Sequence, residues 1–389
     1  MRDSVNYLIQ TDDNLTGSYD NNYIELDYFG IISLRFENIS ESELELLIGK
    51  FIDRKCNLER TPDIIFKFVT DLNVSKVFKL GEDFALFDDN NFYVVSDKIS
   101  LKRVLIPFDK IGGKIEIICE RGLKSIPLFY HLINLYLIKN NYVPIHSSGL
   151  YYRQKGLLAM GWSNGGKTSV LLSLAANGAE YVGDEWLAIT NDGSEMIGYP
   201  IPLSISKWQL KQMPKLKAKV SKGAKIADIF IEFILSFLKL VLKIGDSKFI
   251  LLHFPKKILY YVEKLLKKKI APHKVFGDKV RNVPTPVDFL FLTLRHQGSD
   301  IKIEKCKSYE IICRMINSNN YEQNLFYDYY NAFKYAFPER SNRFLDEAKE
   351  IHAQQLLKAL KDKKAYKVIS PSPVSLNDLY KKINLALDI

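Results

Sequence analysis

No two cysteines in this chain are spaced to share a metal. Cys56, Cys119, Cys306 and Cys313 stand apart with no C-x-x-C pair. That excludes a zinc ribbon and a disulfide framework and suits a reducing, cytoplasmic setting. The sequence opens without a cationic segment leading into an apolar run, so no secretory leader is expected. No stretch of about twenty residues is both apolar and uncharged, so no membrane-crossing helix is expected. Internal repeats and low-complexity linkers are missing, which excludes solenoids and long flexible tethers. Arginine is sparse in the basic region and no recognised nucleic-acid motif occurs, so neither DNA nor RNA is expected as a partner.

What remains is a chain of 389 residues, 47% hydrophobic, long enough to bury a full core and to divide into subdomains. Its net charge of +10 is concentrated in one place. Residues 207–281 hold 19 Lys and Arg against 5 Asp and Glu, a surplus of 14 that leaves the rest of the chain at −4.

Ahead of that segment stands a chemical motif. Gly161, Gly166, Lys167 and Thr168 complete the pattern G-x-x-x-x-G-K-[ST], with Trp162, Ser163, Asn164 and Gly165 between. Such a pattern arises by chance in roughly one or two of a hundred chains this long, so its surroundings decide its meaning. Residues 157–160 read as a short apolar strand before it. Residues 169–177 read as an apolar helix after it, ended by Gly178. A strand, a glycine turn and a helix N-terminus together aim backbone N–H groups and a positive dipole end at a phosphate chain. In this reading the loop from Gly161 through Ser163, Asn164, Gly165 and Gly166 to Ser169 cradles ATP. Lys167 pairs with the β- and γ-phosphates, and Thr168 holds Mg²⁺.

The spacing predicts four regions: a mainly β N-terminal α+β part (1–125), a core carrying the loop (126–206), a basic helical insertion (207–281) and a C-terminal return to the core (282–389). Strands are expected at 23–29 and 31–36 around Gly30, and at 84–87 and 92–95 around an Asp-Asp-Asn-Asn turn. Helices are expected at 40–52, with Ser40 and Glu43 as a capping box, and at 127–139. A hairpin of 148–152 and 157–160, turned by residues 153–156, delivers the loop. A further strand at 180–189 carries Asp184 and Glu185. Helices are expected at 226–244 and 256–269, then a strand at 287–294. Helices at 309–316, 322–336 and 340–360, a strand at 365–369 and a helix at 375–387 complete the chain.

A phosphate loop needs a carboxylate for Mg²⁺, and a transferase needs a base for the incoming hydroxyl. Asp184 and Glu185 follow Lys167 on the very next strand and are the candidates. On a regular strand they point to opposite faces; where the strand ends they need not. His146 falls at the foot of the hairpin, which returns it towards the phosphates. His131, His253, His273, His296 and His352 read as structural. Arg281 and Arg295 are candidate transition-state cations.

The succession His146-Ser147-Ser148, Gly161 to Thr168 and Gly183-Asp184-Glu185 resembles the HPr kinase/phosphorylase superfamily, which shares its nucleotide-binding fold with ATP-dependent phosphoenolpyruvate carboxykinase. More narrowly, it resembles the stand-alone HPr-kinase-related proteins that accompany peptide-modification genes. Looser similarity runs through 198–204, 286–294 and 365–378. The resemblance implies an α/β fold with a mixed β-sheet core, not a doubly wound Rossmann sheet. It also implies Lys167 on the phosphates, Thr168 and Asp184 at the metal, Asp184 near the attacking hydroxyl, and His146 and Glu185 in supporting roles. Three features depart from the family. Asn164 replaces a glycine, at a residue type that tolerates left-handed backbone. Glu185 replaces an aspartate. The downstream glycine-rich signature is missing, which points the acceptor away from HPr.

These residues predict an ATP- and Mg²⁺-dependent kinase acting on a hydroxyl, a serine of a peptide or protein. The alternatives are a kinase of free serine or a similar metabolite, a carboxykinase-like phosphoryl transferase, and a nucleotide sensor without catalysis. The basic segment suggests an acidic peptide bound over the phosphate site, or peripheral membrane contact through 226–269, or only a solvated helical hairpin. An oligomer is compatible with all of these.

Overall fold

The structure is a computed structural model that describes residues 23–74, 76–81, 84–96, 101–199, 201–214, 216 and 267–387. The helix expected at 226–244 lies outside the described residues, as does most of the one at 256–269. The end of the latter is a strand, Lys268–Ile270, because it pairs with Leu203–Ile205.

The fold is mixed α/β, with several sheets that combine parallel and antiparallel strands. The N-terminal region forms a nine-stranded sheet. Tyr23–Tyr28 and Ile32–Glu37 make its first hairpin, and Ala85–Phe87 pairs with Phe92–Val95 as the turn residues predict. Ser40 caps the helix Glu41–Ile48 through a capping box with Glu43, and a 3₁₀ turn at Gly49–Arg54 shortens the expected helix. The apolar helix Phe129–Lys139 is buried against this sheet, where Phe129 meets Phe36, Phe51 and Phe66. Phe326, Tyr330 and Phe333 of the distant helix Asn324–Ala336 join the same core.

The region that positions the glycine loop is a six-stranded sheet. Its order is Glu180–Gly183, Ser147–Tyr152, Lys155–Met160, Phe289–Arg295, Lys364–Ser370 and Lys302–Cys306. Arg153 and Gln154, at φ 47° and 61°, make a tight two-residue turn in the hairpin, so Lys155 and Gly156 belong to the strand. The loop strand Lys155–Met160 is antiparallel to its hairpin partner and parallel to Phe289–Arg295 on its other side. It is therefore both a hairpin arm and a central strand. Helices Lys167–Ala175 and Leu376–Leu387 pack on one face of the sheet. Helices Ser308–Glu322 and Arg343–Leu360 pack on the other, beside a four-stranded sheet.

One expected strand is two. The stretch 180–189 divides into Glu180–Gly183 of the six-stranded sheet and Leu187–Thr190 of the four-stranded sheet. Two glycines allow the break: a Cβ on Gly198 would lie 1.7 Å from Val182 O and 2.8 Å from the Gly183 Cα. Only glycine lets the backbones cross that closely.

Among the described residues no helix is long and apolar enough to cross a membrane.

Candidate functional site

The loop strand ends at Met160 and the chain turns sharply through glycine. Gly161 takes φ +146°, and a Cβ there would stand 2.7 Å from Thr293 O on the neighbouring strand. Asn164 sits in the left-handed region at φ 61°, which an asparagine tolerates without glycine's help. Gly166, at φ +116°, caps the helix Lys167–Ala175, and no side chain caps its first turn. Ser169 N–H already donates to Gly166 O at 2.9 Å, so it is the first N–H groups, of Lys167 and Thr168, that face an anion at the helix start. Trp162, Ser163 and Asn164 are exposed at the loop's crown.

Lys167 is 7% exposed, and its Nζ folds back onto Gly161 O (3.0 Å) and Trp162 O (3.3 Å). Burial holds its pKa below the usual lysine value, although Glu185, Asp184 and Glu322 are close enough to oppose the shift. Arg295 lies against the loop from the end of the parallel strand Phe289–Arg295, its guanidinium 3.2 Å from where a Gly166 Cβ would sit. It donates to Ser169 Oγ (3.0 Å), Ser370 Oγ (3.1 Å) and Pro371 O, but its buried Nε has no partner. Neither cation forms an ion pair with any described residue. Burial also lowers the Arg295 pKa. These are positive charges drawn partly out of water without a direct ion pair, although three carboxylates lie near Lys167, and an added anion would favour both.

The acidic pair stands where the strand breaks. Asp184 is 1% exposed. It accepts hydrogen bonds from the Ser148 hydroxyl and, at 3.4 Å, from Thr168 Oγ1. Burial first, and then the charge of Glu185, push its pKa up to about 6. Glu185 adopts φ 71°, an uncommon backbone for a side chain of its size, and its carbonyl is held by Ser147 N–H at 3.1 Å. The turn aims its carboxylate at His146 Nε2, 2.9 Å away. That bond lowers the Glu185 pKa.

His146 is buried between two carboxylates. Its Nδ1 stands 3.1 Å from Glu322 Oε1, off the line of a hydrogen bond, so this second contact is an ion pair by proximity. Burial favours the neutral ring, but Glu185 and Glu322 outweigh it and raise the His146 pKa. The backbone of His146 is fixed as well, its N–H donating to Asn319 Oδ1 at 3.1 Å.

The structure thus brings Lys167, Thr168, Asp184, Glu185 and His146 together around the loop, and Arg295 with them. It does not bring Arg281. That guanidinium pairs with Glu180 at 2.8 Å and stacks over Tyr151, at the end of its strand away from Asp184. Sequence reading missed Glu322, Ser148 and Lys267, whose Nζ donates to Asn164 Oδ1 at 2.7 Å. Ser148 alone left a trace, in the triplet after His146. Glu322 and Lys267 come from distant segments and carry no local signal. His352 and His131 do bond backbone carbonyls, of Pro144 and Glu322, as structural histidines would. His253 lies outside the described residues.

Among the described residues no three His, Cys, Asp or Glu side chains are grouped to hold a metal ion. What the site offers Mg²⁺ is one hydroxyl, Thr168, and one carboxylate, Asp184, 3.4 Å apart. That pair suits an ion that takes the rest of its shell from phosphates and water. No protein-family model matches this chain, and no curated protein matches it.

Proposed function

We propose that this protein is an ATP- and Mg²⁺-dependent kinase of the HPr-kinase-like type. It passes the γ-phosphoryl group to a hydroxyl, a serine of a peptide or protein. The observation that carries the reading is the combination at the loop: a helix start with no side-chain cap, a buried lysine and a half-buried arginine without ion pairs, and a buried carboxylate whose pKa is pushed up to about 6. The first part fits a polyphosphate. The second fits a base for a hydroxyl, since a catalytic base works best with a pKa near the working pH. The family resemblance carried by His146-Ser147-Ser148, the loop and Gly183-Asp184-Glu185 supports the same reading, as does the loop strand's place as a hairpin arm in a mixed sheet.

In this mechanism the loop amides and Lys167 hold the β- and γ-phosphates. Arg295 takes the phosphate nearest the first turn of the helix, where it touches Ser169. Mg²⁺, held by Thr168 and Asp184, would neutralise charge on the phosphate oxygens. Asp184 accepts the proton of the incoming hydroxyl, and Ser148 keeps its carboxylate oriented. His146 does not reach the reacting atoms in this arrangement; it fixes Glu185 and Glu322 on the acceptor side of the loop. Catalysis is mainly positioning and electrostatic stabilisation.

The test uses labelled ATP and serine-containing peptides, with nucleotide binding measured alongside. Asp184→Asn should keep nucleotide and lose transfer by at least about 100-fold. A wild-type protein that binds ATP but labels no peptide, protein or metabolite hydroxyl would refute the kinase and leave a sensor.

A further inference from the structure

We propose that Lys267, a residue of the basic segment just before the strand Lys268–Ile270, is a third cation of the phosphate site and serves the β–γ end of a bound triphosphate. This rests on the nucleotide reading above and extends it to a residue outside the loop motif.

Lys267 immediately precedes the strand Lys268–Ile270, which is registered against Leu203–Ile205 with Ile205 opposite Lys268. The helix that follows Ile205, Lys207–Lys211, is itself tied to the loop, because Gln209 Nε2 donates to Ser169 Oγ at 3.2 Å. The backbone of Lys267 is therefore tied to the loop through two successive contacts, the strand pairing and the Gln209–Ser169 bond. Its ammonium reaches the crown and finds only a neutral acceptor, Asn164 Oδ1. No described carboxylate pairs with it.

The contacts of the cations locate them. Lys267 Nζ stands on the Asn164 amide at 2.7 Å, and Lys167 Nζ on the carbonyls of Gly161 and Trp162, so both ammonium groups lie along the leading part of the loop. Lys167 is the lysine that reaches the β- and γ-phosphates. Arg295, by contrast, lies at the first turn of the helix against Gly166 and Ser169. The three cations thus divide the polyphosphate between them, with Lys267 at the reacting end. Two ammonium groups held around one loop repel each other until an anion lies between them.

In the transfer step the acceptor oxygen bonds to the γ-phosphorus as the bond to the β–γ bridging oxygen breaks. The acceptor proton passes to Asp184, and the electron pair stays on the bridging oxygen, which becomes a terminal oxygen of ADP. Negative charge therefore grows on that oxygen, and a cation there stabilises the transition state more than the ground state. Lys267 exchanges a neutral amide for that charge. One lysine of the basic segment is in this way part of the site.

The experiment measures binding of Mg²⁺·AMP-PNP and of Mg²⁺·ADP by calorimetry, on the full chain. The variants are Lys267→Ala, Lys267→Arg and, as a charge-matched control, Lys269→Ala, an exposed lysine on the adjoining strand. Lys267→Ala should weaken AMP-PNP about tenfold or more and ADP by less than about threefold. Lys267→Arg should retain the preference for the triphosphate, and Lys269→Ala should change neither affinity. Equal losses for the two nucleotides, no loss for either, or the same effect from Lys269→Ala would overturn the assignment. A wild-type chain that binds neither nucleotide would overturn the proposed function, and this assignment with it.

Discussion

Replacing Asp184 by Asn should stabilise the protein while abolishing its activity, and the stabilisation should depend on pH. The carboxylate is buried, and its pKa is raised from 3.8 to about 6, first by desolvation and then by Glu185. The native state therefore holds this proton more tightly than the unfolded chain does. Between about pH 4 and pH 6 the folded protein binds more protons, so stability falls as pH rises through that window. Above about pH 6 the full penalty is present. The shift corresponds to about 3 kcal/mol at most. Asparagine keeps an oxygen for the Ser148 hydroxyl, and the Thr168 hydroxyl can turn to accept from the new amide, so the polar contacts survive. A net gain of about 1–3 kcal/mol follows near pH 8, shrinking towards zero near pH 4.5. For a chain of 389 residues that is an increase in Tm of roughly 1–4 °C. The assay is thermal melting of wild type and Asp184→Asn at both pH values, without nucleotide or divalent ions. If the variant melts below wild type near pH 8, or if the gap is the same at both pH values, the electrostatic account of Asp184 is wrong.

Two further outcomes test the supports of the site. Glu322→Gln removes one of the two carboxylates beside His146, so the imidazole pKa should fall, read by NMR titration of its ring protons. The fold should lose about 1 kcal/mol below the unfolded histidine pKa of about 6.5, and the loss should fade as pH rises through the native His146 pKa. Gly198→Ala drives a methyl group to within 1.7 Å of Val182 O at the crossing that sets Asp184 in place. It should cost about 3 kcal/mol or more and lower Tm, as read by thermal melting.

The sequence by itself determined the local parts. The glycine loop, its strand and its helix were legible because the motif and its flanking apolar runs fix residue types in a set order over a few positions. The Ser40 capping box, the helix Phe129–Lys139 and the hairpin before the loop were legible because local periodicity and turn chemistry dictate them. The reading of Asn164 as a left-handed residue holds for the same reason. Tertiary structure decided whatever depends on two distant segments meeting. Reading 180–189 as one strand failed because nothing local reveals that Gly183 and Gly198 let two sheets cross, which breaks the strand at Asp184. Arg281 and Arg295 looked alike in sequence, but the end of a parallel strand carries one to the loop while Glu180 holds the other away. His146 became a bridge between two carboxylates only when the helix Ser308–Glu322 brought Glu322 against it. Spacing along the chain writes the chemistry of the loop; only the packing of sheets and helices chooses which charges surround it, because electrostatic contact depends on distance in space and not on separation in sequence.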